Sequence, residues 1–413
     1  MLTVNLNVTP PWGEGDAKRI MDALGGSDNV LAVGGCVRDW ITGFPVKDID
    51  FATKHPPIKC SGLLEKKGFR VKPVGIEHGT IKVILKGKTF EITTLRKDII
   101  TDGRHAVVKF GKDWYGDACR RDFTLNALYG DDQGTIYDPL NKGFKDLQEG
   151  KLCFIGDPKK RIKEDFLRII RYFRFLSRFS KNIHELSFKA CIKEAKNIRF
   201  ISGERIISET SKILLNANAS VVINEMQRHD LLKYMFTEQK DYSLAIQPKI
   251  LKEYIQNISL RHKPKKKFLI LLSLLLKNEN RKIIKKIILS ISNKFNLSKN
   301  DNRLLVKMTE WVKSTRSVSA KDIKLVWLDF GKEEIEYLKL ILKIINFKQY
   351  TILRKYLENQ PPKFPCTGKD AKKIGFVQGD KMGNALKNTR NWWLDKNCLP
   401  TYEDCMKQLK KNL

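Results

Sequence analysis

The chain has 413 residues, 42% of them hydrophobic and 30% charged, which is too long for one core and too apolar for wholesale disorder. Its formal net charge of +32 is unevenly spread: residues 1–150 hold 22 Lys and Arg against 20 Asp and Glu, and residues 151–413 hold 56 against 26. A near-neutral N-terminal part joined to a strongly basic remainder points to a polyanion gripped by one part and chemistry done by the other.

The first third reads as mixed α/β. Short β-rich runs fall at Val30–Val33, Asp48–Thr53, Thr80–Leu85 and Thr89–Thr94, with apolar residues at helical spacing in Val37–Ile41 and Leu63–Leu64 between them. After Asp157 the pattern turns helical, as in Phe166–Phe179, Ile206–Leu215, Phe268–Leu276, Ile283–Ile291 and Ile335–Ile345. A Pro break at Gln360–Pro365 sets off a last segment of about fifty residues. Met1–Asp16 lacks the basic start and apolar run of a secretory leader, and Phe268–Leu276 is about half a membrane span. Eight cysteines with no C-x-x-C pair argue against a disulfide framework or zinc site and for a reducing cytoplasm.

The chemistry-bearing residues start at Val33-Gly34-Gly35-Cys36-Val37-Arg38-Asp39, an apolar strand, two glycines and a helix start. Backbone N–H groups at such a turn can cradle phosphate. Asp48-Ile49-Asp50 follows, two carboxylates two apart on an expected strand, hence on one face. Two such acids repel unless a cation lies between them, and Mg²⁺ suits one or two carboxylates plus substrate phosphates. Glu91, on another alternating strand, completes that acidic face or forms a cross-strand salt bridge. Arg121 and Asp122 precede an expected helix over Phe123–Leu128, where Arg meets phosphate oxygens and Asp a ribose hydroxyl. Asp165 and Arg168, three apart, share an expected helix face. A carboxylate accepting from an exocyclic amino group, beside a guanidinium donating to a ring acceptor, suits cytosine and adenine and mismatches uracil and guanine. Arg171, Arg174 and Arg178 continue that helix, while Arg205 and Glu209 read as a brace between helices. Gly143, after Pro139, suits a hinge, and Thr101-Asp102-Gly103-Arg104 reads as a loop tip.

Gly34-Gly35-x-x-Arg38-Asp39 followed by Asp48-x-Asp50 resembles the signature of polymerase β-like nucleotidyltransferases. It is closest to bacterial class II CCA-adding tRNA nucleotidyltransferases and their poly(A) polymerase relatives. The resemblance continues through His78-Gly79-Thr80, Asp102-Gly103-Arg104, Arg120-Arg121-Asp122, Asn126-Ala127, Glu164-Asp165-x-x-Arg168-x-x-Arg171 and Glu204-Arg205. It reappears at Thr367-Gly368-Lys369-Asp370 and Trp393, and departs at Cys153, where the family usually carries a basic residue.

The resemblance implies an α+β polymerase β-like nucleotidyltransferase head followed by an all-α neck, body and tail. The expected divisions are a catalytic head at 1–150, a base-recognising neck at 151–215, an RNA-binding body at 216–360 and a tRNA-binding tail at 361–413. It implies template-independent addition of CCA to the 3′ end of tRNA from CTP and ATP, with release of pyrophosphate. Asp48, Asp50 and Glu91 are the expected catalytic acids, the first two holding Mg²⁺. Gly34, Gly35, Arg38, Arg121, Asp122, Asn126, Asp165, Arg168 and Arg171 are the expected nucleotide contacts. Poly(A) polymerase, an enzyme adding only CC or only A, and a catalytically idle RNA-binding protein are the alternatives. No membrane or protein partner is implied.

Overall fold

The computed structural model describes residues 1–102, 105–179, 181–236, 244–258, 263–313 and 318–413. Packing divides the chain into two units, Met1–Glu238 and Gln239–Leu413. The tip Gly103-Arg104 of the expected loop lies outside the described residues.

The first unit opens with ten strands: β1 (Leu2–Asn5), β2 (Val30–Val33), β3 (Asp50–Thr53), β4 (Arg70–Pro73), β5 (Thr80–Leu85), β6 (Lys88–Thr94), β7 (Arg96–Asp102), β8 (His105–Phe110), β9 (Tyr129–Gly130) and β10 (Thr135–Asp138). Eight form one mixed sheet in the order β1-β10-β9-β2-β3-β6-β5-β4, and β7 pairs with β8 apart from it. β2 is buried along its whole length, as its uninterrupted Val-Leu-Ala-Val requires of a central strand. It runs antiparallel to β3 and β9, whereas β3 and β6 pair in parallel, setting Asp50 in register with Glu91.

β3 starts at Asp50, so Asp48 lies in the irregular segment before it and not on the strand. Likewise Phe123–Leu128 is no helix: Thr124–Asn126 makes a single 3₁₀ turn before β9. The four-residue Phe-Thr-Leu-Asn stretch is too short to nucleate a helix, and the backbone finds partners across the sheet instead. Gly143 starts a short helix, Gly143–Glu149, for a packing reason: a Cβ there would meet the Thr124 carbonyl at 2.4 Å.

Beyond β10 the described residues hold helices and no further strand. The helix Leu167–Phe179 buries Leu167, Ile169, Ile170, Tyr172, Phe173, Phe175 and Leu176 against the unit. Its remaining stripe, at three- and four-residue spacing, is Arg168, Arg171, Arg174 and Arg178. The helix Gly203–Ile213 packs beside it.

The second unit is helical throughout its described residues, around the apolar helix Pro264–Leu275. Lys266, buried on that helix, is neutralised by Asp301 at 2.9 Å. Trp393 is buried and donates its indole N–H to the Pro400 carbonyl at 3.2 Å, so it packs a small core. No helix among the described residues is long and apolar enough to cross a membrane, and all eight cysteines are free.

Candidate active site

The chain leaves β2 through Gly34, whose φ of +75° belongs to glycine, and enters the helix Gly35–Ile41. A Cβ at 34 would also come within 3.4 Å of Arg121 Nη1. The turn therefore keeps one side chain away so that another can approach. Cys36 tucks its thiol beneath, towards the Val33 carbonyl at 3.3 Å, and burial pushes that thiol up to about 11. It is a neutral packing group.

Next to the turn, Asp117 collects two arginines. Its carboxylate accepts from Arg120 at 2.7 Å and Arg121 at 2.9 Å, and from the Tyr129 hydroxyl at 2.7 Å. Burial works against the charge, but Arg121 and Arg120 override it and hold the carboxyl down at about 2. The adjacent Arg120-Arg121 pair thus has its anion inside the chain, three and four residues before it. Asp122 is built in the same way. It accepts from Arg171 at 2.6 Å, the Asn126 amide at 2.9 Å and the Phe123 N–H at 2.9 Å, and despite burial is held down at about 2. Asn126 accepts in turn from Arg38 at 2.5 Å, and Arg38 reaches Asp39 at 2.7 Å and stacks over Phe179. One network ties the glycine turn, the 3₁₀ turn and the arginine stripe together.

Asp165 is not on a helix. Its backbone is extended between the helices Pro158–Glu164 and Leu167–Phe179, and its Oδ1 caps the second by accepting the Leu167 N–H at 3.0 Å. The expectation that it shares a helix face with Arg168 therefore fails, because capping the new helix requires non-helical geometry. Arg168 reaches Glu164 at 2.5 Å and the Arg161 carbonyl at 2.7 Å. Asp165 takes Arg205, at 2.6 Å on Oδ2 and 3.2 Å on Oδ1. Arg205 is therefore more than a brace, whereas Glu209 does brace, receiving Arg174 at 2.8 Å.

These side chains meet around one cleft of about 470 Å³. All nine expected nucleotide contacts line it: Gly34, Gly35, Arg38, Arg121, Asp122, Asn126, Asp165, Arg168 and Arg171. Leu167, Arg174, Phe175 and Arg205 complete the wall. Six arginines face two carboxylates there, an electrostatic match for a polyphosphate. Arg174 and Arg205 were both visible in the sequence, one on the arginine stripe and one in Glu204-Arg205, but their place in this wall was not.

The three acids stand apart from that wall. Glu91 is in parallel register with Asp50 and lies 3.6 Å from Lys82 across the sheet, so its acidic-face and salt-bridge readings both describe it. Burial, then the charges of Glu91 and Asp48, push the Asp50 carboxyl up to about 6, with Arg121 pulling the other way. Residue 50 as a whole is open to solvent, and a cation between the carboxylates would cancel their repulsion. Among the described residues no three His, Cys, Asp or Glu side chains converge to hold a metal ion by themselves. Two carboxylates with nucleotide phosphates completing the shell fit what is present.

The Poly A polymerase head domain family matches residues 30–153, and the family described as the probable RNA and SrmB-binding site of polymerase A matches residues 182–243. The mitochondrial CCA tRNA nucleotidyltransferase 1 of Mus musculus is 32% identical over 394 residues, covering 92% of this chain and 86% of the relative. This chain belongs to the CCA-adding tRNA nucleotidyltransferase family. The Homo sapiens member is 33% identical, again over 92% of the chain and 86% of the relative. The CCA-adding enzyme of Staphylococcus aureus strain MRSA252 is 35% identical over 205 residues, 49% of this chain and 50% of its own. The fold of the family is shared as well. The Bacillus stearothermophilus CCA-adding enzyme, solved in complex with CTP, superposes with a TM-score of 0.72 at 23% identity, over 98% of each chain. The Thermotoga maritima CCA-adding enzyme, solved with tRNA, gives 0.63 at 19% identity, over 100% of this chain and 99% of that one.

Proposed function

We infer that this chain adds C, C and A to the 3′ end of tRNA from CTP and ATP, with the arginine-lined cleft of the first unit as the nucleotide site. The observation that carries the site is the convergence of nine motif residues, drawn from positions 34 to 171, on one cleft. The RNA 3′-hydroxyl attacks the α-phosphorus of the bound nucleotide, a new phosphodiester bond forms, and pyrophosphate leaves.

Members of the family use a divalent metal, and we assign Mg²⁺ to Asp48 and Asp50, with Glu91 holding the acidic face beside them. When bound, the metal supplies Lewis-acid stabilisation of charge on the reacting oxygens. Arg38, Arg121, Arg171 and Arg174 receive the triphosphate. Asp122, held ionised by Arg171, accepts from the ribose. Asp165 and Arg168 read the base edge. A carboxylate offers about four lone-pair sites; Arg205 and the Leu167 N–H occupy three on Asp165. One site stays for the exocyclic amino group of cytosine or adenine. Arg168 uses Nη1 within the chain, leaving its other donors for the ring acceptor. Uracil and guanine present a carbonyl to the carboxylate and leave buried groups unpaired, a loss of ~1–3 kcal/mol per group.

The head, neck, body and tail divisions at 150, 215 and 360 belong to this reading, although packing divides the chain once, after Glu238. So does a cytoplasmic site of action, supported by eight free cysteines. The test is extension of a tRNA lacking its 3′ CCA, resolved one nucleotide at a time. C, C, A and a stop is the expected product. A long A ladder indicates poly(A) polymerase, arrest after CC or addition of A alone indicates a partial enzyme, and tight binding without product indicates an idle binder.

A further inference from the structure

The 3₁₀ segment Ala195–Phe200 carries an exposed aromatic side chain with no packing role. Phe200 is 67% exposed. Its neighbours are anchored: Ala195, Ile198 and Ile201 are buried, and Asn197 donates to Glu194 at 2.8 Å. The segment is held, and Phe200 is held out. The ring is dressed on two sides. Arg199 lies over it with its guanidinium carbon 4.8 Å from the centroid, and Phe166 lies 6.4 Å away, tilted by 38°.

Phe166 follows Asp165, which lines the cleft and is gripped by Arg205. Neither ring lines the cleft itself, but Phe166 joins Asp165 to Leu167, both of which do, so the aromatic pair lies beside that wall. Lys193, Lys196 and Arg199 are exposed in the seven residues before Phe200, and Ser202 and Glu204 are exposed in the four after it. An exposed aromatic ring among cations, on a braced segment beside a nucleotide cleft, has the makeup of a single-strand RNA platform. The ring takes a base face and the cations take the phosphates on either side.

We propose that Phe200, backed by Phe166 and Arg199, stacks the unpaired base at the 3′ terminus of the RNA. Stacking there holds the terminal nucleotide at the mouth of the cleft, and it tolerates any base because every base has a π face. The proposal rests on the activity inferred above but concerns the RNA and not the incoming nucleotide.

The test compares wild type, Phe200→Ala, Phe200→Leu and Phe200→Trp in CMP incorporation on tRNA lacking its CCA end. Phe200→Ala and Phe200→Leu should raise KM for the RNA by about fivefold or more, with KM for CTP unmoved; Phe200→Trp should restore the wild-type value. Leucine keeps apolar bulk and loses the π face, so rescue by tryptophan alone separates stacking from packing. A second readout uses an RNA with 2-aminopurine at its 3′ terminus. Its fluorescence should be quenched on binding wild type and Phe200→Trp, and not on binding Phe200→Ala. Equal RNA KM and equal quenching in wild type and Phe200→Ala would overturn the proposal. Absence of incorporation by wild type counts against the inferred activity instead, and the quenching measurement then decides the platform alone.

Discussion

The two units of the chain carry positive charge in different currencies of side chain. The first, Met1–Glu238, has 15 arginines and 25 lysines, and the second, Gln239–Leu413, has 6 arginines and 32 lysines. Six of the first unit's arginines line one cleft, each with a carboxylate partner. The second unit's lysines include exposed charges on helix surfaces, as at Lys285, Lys286 and Lys387, beside ion-paired ones such as Lys263 with Glu333 and Lys321 with Asp395. A guanidinium is a planar fork that holds a fixed direction while still offering donors to a ligand, whereas an ammonium is a hydrated point charge on a flexible stem. The contrast teaches where direction matters. Reading a base and orienting a triphosphate need fixed donors; holding a large polyanion by its phosphates needs only density of charge.

That contrast can be broken at its strongest point first. Asp50→Ala should lower nucleotide incorporation by about a thousandfold or more while leaving tRNA affinity near wild type, as measured by single-turnover extension and filter binding. Lost affinity with retained turnover would contradict the metal role. Arg205→Ala frees the Asp165 carboxylate to rotate. Discrimination for CTP and ATP over UTP and GTP, measured as ratios of kcat/KM, should fall by about tenfold to a hundredfold with RNA affinity unchanged. Arg205→Lys should not restore it, because a point charge cannot grip both oxygens.

Acid should sharpen the comparison from another side. Asp117 and Asp122 are held at about 2 in the folded chain, below the ordinary value of 3.8. Groups depressed on folding contribute stability that is complete above about pH 4 and lost as pH falls towards 2, about 2 kcal/mol for each buried carboxylate. Thermal unfolding followed from pH 5 to pH 2 should show that decline, and Asp117→Asn should flatten it. The smallest effect belongs to the second unit. A single neutralisation such as Lys407→Gln should reduce the slope of log affinity against log salt by at most about one, with KM for CTP unchanged. A single lysine that abolished nucleotide binding would contradict the division of labour.

Much of this was legible before any fold was known. Two glycines, two closely spaced acids and an Arg-rich amphipathic helix are local patterns, and local patterns report local structure. The nine residues expected to contact nucleotide each sit in a short motif, and they converge on one cleft. Their more distant partners were not legible. Asp117 is only four residues from Arg121, but Arg171 meets Asp122 and Arg205 meets Asp165 across forty residues of chain or more. Asp48 left the strand and Asp165 left the helix for a shared reason: each sits at the end of an element, where capping and turn geometry override periodicity.

By itself, then, the order of residues determined the helical character of the described elements past Asp157, the buried central strand β2 and the inventory of groups that meet in the cleft. Hydrophobic periodicity and motif spacing act within a few residues of one another. The pairing of Arg171 with Asp122, Arg174 with Glu209 and Arg205 with Asp165, the register that sets Asp50 beside Glu91, and the exposure of Phe200 were decided by tertiary packing. Those outcomes depend on contacts between distant segments, whose energies no single stretch of chain contains.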